Sequence, residues 1–367
     1  MNGGYYSTDD NLATYKASGR IVKTLTSSHA EYANGYRYEV NYPNTLTWDA
    51  NGGVLSGDYT SGGVPEGETI VQPTATREGY VFNGWDSEVA ATMPDHDLTY
   101  TAQWTQAVAS VTVNDATTYH ATIADAITTA NGQSNATITM LQNASVTSEQ
   151  TISATMTIDL NGKTISSTHT TAATGIFKIN APGKTVTITD SGTNGKISHK
   201  ANCSGKLYGI NMVAGALNIE GGTIYAENTT TNIGTNYRAI AIYYDTNNTQ
   251  PASITMSGGT VEVKRSSTSY AYAIMIYTAN CNLTITGGEV KASGSTIVRG
   301  IYTQGTAELS NVTVSATASG DNCYAVFSDK NGIYTINSGT YTATGSGSSV
   351  CALAITQANA RATVNGG

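Results

Sequence analysis

The stretch "LTITGGE" (283–289) decides how this chain folds. Leu283, Thr284 and Ile285 alternate apolar and polar, the period of a half-buried strand. The Gly-Gly pair that follows ends the strand in a tight turn, because glycine reaches backbone angles that other residues avoid. The same phrase recurs as "LNIEGGT" (217–223), "ITMSGGT" (254–260), "ELSNVT" (308–313), "YTINSGT" (334–340) and "ATVNGG" (362–367). A further strand follows the turn each time, as in "TIYAE", "TVEVK", "EVKAS", "TVSAT" and "TYTAT". Another pattern, a small residue and then an aliphatic one, appears at Gly175-Ile176, Gly209-Ile210, Ala239-Ile240, Ala273-Ile274, Gly300-Ile301, Ala325-Val326 and Ala352-Leu353.

Each period thus holds three short strands and three turns in roughly 25–35 residues, and a unit that small must stack on copies of itself to bury its apolar side. The expected fold is all-β: a parallel β-helix with rungs about 4.8 Å apart. The polar insertion "NTTTNIGTNYR" (228–238) is absorbed in a turn. Ahead of the rungs, "TTYHATIADAITTANGQ" (117–133) reads as a short helix. Its stripe is Ala121, Ile123, Ala124, Ile127 and Ala130, and it ends at Asn131-Gly132. Such a helix would cap the open strand edges of the first rung. With the early strand "TIDLNGKTI" (157–165), the segment 108–367 resembles the pectin-lyase-like right-handed β-helix domains of bacterial surface proteins. That resemblance implies a right-handed coil with an N-terminal helical cap.

Charge divides the chain. Residues 1–106 carry 5 Lys and Arg against 13 Asp and Glu, while residues 107–367 carry 13 of each. The whole net charge of −8 therefore lies in the first part, which sets a domain boundary near Thr105–Ala109. No basic face exists for nucleic acid or acidic lipid. No apolar run approaches the roughly 18 residues of a membrane-spanning helix, so no membrane insertion is expected.

All three tryptophans, Trp48, Trp85 and Trp104, fall between residues 44 and 106, which gives this segment its own core. It reads as strand "TLTWDANGG" (45–53), strand "GETIVQPTA" (67–75), the aromatic "GYVFNGW" (79–85) and strand "DLTYTAQW" (97–104). In "GYVFNGW" strict alternation would send Tyr80, Phe82 and Gly84 one way and Val81, Asn83 and Trp85 the other. Three motifs in order, "DANGG" (49–53), "REGYVFNGW" (77–85) and "LTYTAQW" (98–104), make residues 44–106 resemble the Listeria–Bacteroides repeat, also called the internalin-type B repeat. Trp48 stands where that family usually has Phe. The resemblance implies a small β-grasp-like spacer without catalysis, with Tyr80, Phe82 and Trp85 serving as core. Residues 1–43 read as the end of a preceding β-helix rung, "NGGYYSTDD" (2–10), and an exit segment. Joining the chain's end, "TVNGG", to its start gives "TVNGGYYS", so one period of a longer array, with end-to-end or tandem association of similar units, is expected.

Chemistry is sparse. Cys203, Cys281, Cys323 and Cys351 form no CxxC pair and the histidines are scattered, so neither metal nor cofactor is expected. Cys323 and Cys351 stand one rung apart and are read as neighbouring, reduced apolar fillers. A lyase on such a fold needs clustered carboxylates with a basic residue, and a glycosidase needs a carboxylate pair. The carboxylates of the β-helix, Asp159, Asp190, Glu220, Asp245, Glu262, Glu289, Glu308, Asp321 and Asp329, come mostly one per rung. Glu262, Lys264 and Arg265 are read as an outward charged surface, Asp159 as a turn brace, and no catalytic residue is singled out. Tyr243, Tyr244, Tyr270, Tyr272, Tyr277 and Tyr302, with Arg238 and Arg299, gather in the middle rungs. They either form a glycan-binding strip or pad the rim of the core. The expected protein is a non-catalytic stalk or adhesin segment, extracellular, at the cell surface or secreted, with glycans or surface proteins as partners. The alternatives are a polysaccharide lyase or glycosidase, or a glycan-binding module without turnover.

Overall fold

The computed structural model describes residues 4–7, 21–28, 30–41, 43–234, 236–245, 249–265, 267–320, 322–357 and 359–366. The chain divides into two compact units, Met1–Gln106 and Ala107–Gly367.

In the first unit, strands Gly4–Tyr6 and Ile21–Thr24 both pair antiparallel with Tyr38–Asn41. A solenoid rung would instead add a parallel strand, so this small sheet differs from the expected end of a β-helix. Residues 8–20, the expected exit segment, lie outside the described residues. The tryptophan-rich segment forms a four-stranded sheet in the order Gly62–Val64, Asn44–Asp49, Leu98–Gln106, Tyr80–Trp85. Its first and last strands run parallel at the centre and its edges are antiparallel, a β-grasp-like order. Trp48 stacks on Tyr100 at 4.9 Å between ring centres and meets Trp85 at 4.7 Å, over Leu46, Val64, Ile70 and Met93. The aromatic stretch does not alternate throughout. The register slips between Phe82 and Trp85, where Gly84 takes a φ of +98°. That slip turns Trp85 toward Trp48, while Phe82 packs on Trp104 and Tyr80 lies under the Arg77 guanidinium.

The second unit is a right-handed parallel β-helix of about seven turns. Three stacks of strands make its faces. Strands Ala239–Tyr244, Tyr270–Ile276, Ile297–Thr303, Asn322–Ser328 and Ser349–Ile355 continue the first face. Ala252–Met256, Cys281–Ile285, Thr306–Leu309, Ile333–Ile336 and Arg361–Val364 continue the second. Thr223–Asn228, Thr260–Arg265, Glu289–Gly294, Val312–Ala318 and Gly339–Thr344 continue the third.

Parallel pairing in exact step puts like residues in columns. Ile188, Ile219, Met256, Ile285, Leu309, Ile336 and Val364 form one such column. All but the last are buried, and each shields the next from water. On the first face the column is Phe177, Ile210, Ile242, Ile274, Ile301, Val326 and Leu353. The inward-facing pairs in the rungs of Gly175-Ile176 and Ala239-Ile240 are therefore Ile176-Phe177 and Ala241-Ile242. Gly175-Ile176 and Ala239-Ile240 fit the letter of the pattern, but Ile240 joins an outer cluster instead. The stacked turns need glycine: a Cβ on Gly259 would lie 2.6 Å from the Gly222 carbonyl oxygen, and one on Gly288 would lie 2.7 Å from that of Gly259.

Helix Ile123–Asn131 covers the N-terminal end of the coil and buries Ile123, Ala126, Ile127 and Ala130 against the same core. Thr122 caps it, its hydroxyl accepting from the Asp125 amide and donating to the Asp125 carboxylate. Ala121 precedes the helix and is exposed; Ala126 takes its place on the buried stripe.

Candidate functional site

The first face bends in the middle. At the bend two successive residues point inward, as with Ala241 and Ile242, Ala273 and Ile274, and Ala325 and Val326. The residues on either side therefore both point outward. Stacking turns them into two parallel columns. One runs Tyr208, Ile240, Tyr272, Arg299, Tyr324 and the other runs Asn211, Tyr243, Met275, Tyr302, Phe327.

These side chains pack on one another outside the coil as a second apolar cluster. Tyr208 stacks on Tyr243 at 4.5 Å and Tyr302 on Phe327 at 5.9 Å. Tyr208, Tyr243, Tyr272, Tyr302 and Phe327 are almost wholly buried within it. Tyr270, Tyr277, Tyr324, Arg238 and Arg299 are half-buried and form its solvent-facing layer. Tyr270 lies parallel to Tyr272 at 6.2 Å, and Tyr277 stacks on Tyr302 at 5.6 Å. Seven of the eight residues expected in a strip thus gather here. Tyr208, Tyr324 and Phe327 join them. Only the strand register reveals those three, because their distance along the chain hides the shared column.

Tyr244 does not belong. It is fully buried in the inner core, and its hydroxyl donates to the Gln250 carbonyl oxygen. Adjacent strand residues face opposite ways, so Tyr243 outside puts Tyr244 inside.

Cations ring the cluster. The Arg238 guanidinium lies 5.2 Å from the Tyr270 ring centre and 5.7 Å from that of Tyr272. Arg299 lies 3.6 Å from the centre of Phe327 and 5.1 Å from that of Tyr302. Lys206 and Lys330 each lie 5.5 Å from a ring, over Tyr243 and Tyr277. Two acids are close: the Tyr302 hydroxyl donates to Asp329 at 3.3 Å, and Asp245 faces Tyr243. Burial raises the phenol pKa of Tyr208, Tyr243, Tyr272 and Tyr302 well above the ordinary value, so all four stay protonated hydrogen-bond donors.

The Arg265 reading needs correction. Arg265 ends an inward-facing row and is 1% exposed. Its guanidinium donates to the backbone oxygens of Asn228, Thr230, Asn232 and Tyr237 at 2.6–3.1 Å. It thereby pins the insertion that carries Arg238. Lys264 is exposed and Glu262 half-buried, as an outer strand row requires.

Two of the remaining carboxylates, Asp159 and Asp190, brace turns. Asp159 accepts from the amides of Asn161 and Ser191, and Asp190 accepts from those of Gly162 and Gly195. Among the described residues, no group of three or more His, Cys, Asp or Glu is placed to hold a metal ion. Asp321 lies outside the described residues. All four cysteines are free. Cys323 stands beside Val350, while Cys351 stands beside Tyr324, so the two thiols are one residue out of step and not neighbours. Cys203, Cys281 and Cys323 are buried, whereas Cys351 is exposed and is not a core filler.

No family model, no curated protein and no solved structure matches this chain.

Proposed function

We propose that the chain is a non-catalytic segment of an extracellular bacterial repeat protein, in which the β-helix is a rod that displays a glycan-binding face. The observation that carries this reading is the outer aromatic cluster. An outward row needs no aromatic to fold, and the equivalent rows of the third face carry Ser198, Tyr225, Glu262, Lys291 and Ser315. The first face instead layers half-buried Tyr270, Tyr277 and Tyr324 over buried rings. Flat, rigid rings with hydroxyls stack on the C–H faces of sugars and hydrogen-bond their hydroxyls. The three ordered motifs of residues 44–106, like those of the Listeria–Bacteroides repeat, favour a surface spacer in the same chain. The β-grasp-like strand order of that segment agrees with such a spacer.

A glycan array tests the reading. The wild-type chain is expected to bind a saccharide subset, and Tyr270→Ala with Tyr324→Ala is expected to abolish that binding while leaving the circular dichroism unchanged. Unchanged binding by the double variant, or no binding by the wild type, overturns it. A polyuronate panel with Ca²⁺, followed by absorbance of unsaturated product, tests the rival: turnover would make the protein a lyase.

A further inference from the structure

Among the outward cations, Arg299 stands apart. It stands fourth in its column, between Tyr272 and Tyr324, where its neighbours are aromatic. Four rings surround its guanidinium: Phe327 at 3.6 Å, Tyr302 at 5.1 Å, Tyr272 at 5.4 Å and Tyr324 at 5.9 Å. No carboxylate pairs with it among the described residues. Its Nε is buried and is the only buried side-chain nitrogen or oxygen among them that lacks a hydrogen-bond partner. Buried polar groups are almost always satisfied, and a guanidinium offers five donors in a planar fork. Ring faces attract the cation but leave its N–H donors unused.

The surrounding charge points the same way. Lys206, Arg238 and Lys330 flank the cluster. The nearby acids Asp245 and Asp329 face the hydroxyls of Tyr243 and Tyr302. Lys206, Arg238, Arg299 and Lys330 outnumber Asp245 and Asp329 here, on a solenoid whose formal charges sum to zero. We infer that the glycan taken by this face is acidic, with a carboxylate or sulfate of the sugar held by the Arg299 guanidinium and the sugar ring stacked on Tyr270 or Tyr324. This rests on the glycan-binding reading and adds the class of sugar to it. The two Nη groups are the open ends of the fork and fit either anion, and aromatic flanks keep competing water away from the pair.

The test uses the whole chain and two matched pairs of probes: oligogalacturonate with its methyl ester, and a sulfated galactan oligosaccharide with its desulfated form. Binding by calorimetry is expected to weaken about tenfold or more when the anion of at least one pair is masked, the size of one charge-assisted hydrogen bond. Arg299→Gln is expected to erase that difference, and Arg299→Lys to restore part of it. Equal binding to the charged and masked forms of both pairs overturns the inference while leaving a neutral-glycan face standing. Charge-dependent binding that survives Arg299→Gln overturns it as well. Failure to bind any of the four probes or any array glycan overturns this inference and the reading beneath it together. An unchanged melting temperature for Arg299→Gln separates lost recognition from lost folding.

Discussion

The imidazoles of His169 and His199 meet at 2.8 Å, Nδ1 of His169 against Nε2 of His199. His199 is fully buried, in step with Ser167 on one rung and Ala226 on the next. Its Nδ1 faces the Tyr208 carbonyl oxygen at 2.6 Å, and its Nε2 also lies 3.0 Å from the His169 carbonyl oxygen. Two imidazoles this close repel one another when both are charged.

A pH dependence follows. Burial holds the pKa of both rings below the ordinary imidazole value, and for His169 repulsion from His199 adds to the effect. Burial does the same for His120. Unfolded imidazoles therefore take up protons first as pH falls. The stability tied to neutral rings is full above an unfolded value of about 6.5 and is lost as pH drops through it, levelling off only below the folded-state value. Thermal unfolding between about pH 7.5 and 5 should show the melting temperature falling. His199→Gln should flatten part of that slope; an identical slope in the variant would contradict the neutral pair.

Tyr334 fills the coil between Ala307 below and Ala362 above, a large side chain matched by two small ones. Its buried hydroxyl accepts from the Thr303 amide and donates to the Phe327 carbonyl oxygen, both at 3.0 Å. Tyr334→Phe keeps the packing and leaves those two backbone groups unpaired. The expected loss is about 1–3 kcal/mol in urea unfolding, with little change in the denaturant slope.

Arg265 braces four carbonyl oxygens without a carboxylate partner. Arg265→Met should cost on the order of 3 kcal/mol, because several buried acceptors lose their donor at once. Limited proteolysis should then cut within residues 229–237 before the rest of the coil. Cleavage resistance equal to wild type would show that the insertion holds itself in place.

Thiol chemistry should separate the cysteines. Burial raises the Cys203 and Cys323 thiols and pushes Cys281 up to about 12, so none of the three is an accessible thiolate near neutral pH. Cys351 alone is exposed. Aromatic disulfide reagent should titrate one thiol in the native protein and four after denaturation. Fewer than four would reveal a disulfide.

The solenoid is legible because its signal is repeated: three strands and a glycine or asparagine turn per rung appear in the residues themselves, and stacking follows from the small size of each unit. What the letters left open was register. Ala239-Ile240 and Ala241-Ile242 read alike, and only the outward aromatic cluster decides that Ile240 faces out. Cys323 and Cys351 seemed a stacked pair at one rung's spacing, yet a shift of one residue sends them to opposite sides. Arg265 looked like surface charge because a buried guanidinium served by carbonyl oxygens leaves no partner acid to notice. Tyr244 was grouped with Tyr243 by proximity along the chain, where alternation separates them.

The stacked pairing has a mechanical consequence. Ladder bonds between rungs such as Tyr270–Ile276 and Ile297–Thr303 run along the rod and not across it. Tension applied lengthwise therefore loads them one row at a time, like a zip, and not all together in shear. Each freed coil of roughly 27 residues would pay out some 90 Å of slack at about 3.3 Å per residue. A coil built this way yields in short steps under lengthwise force.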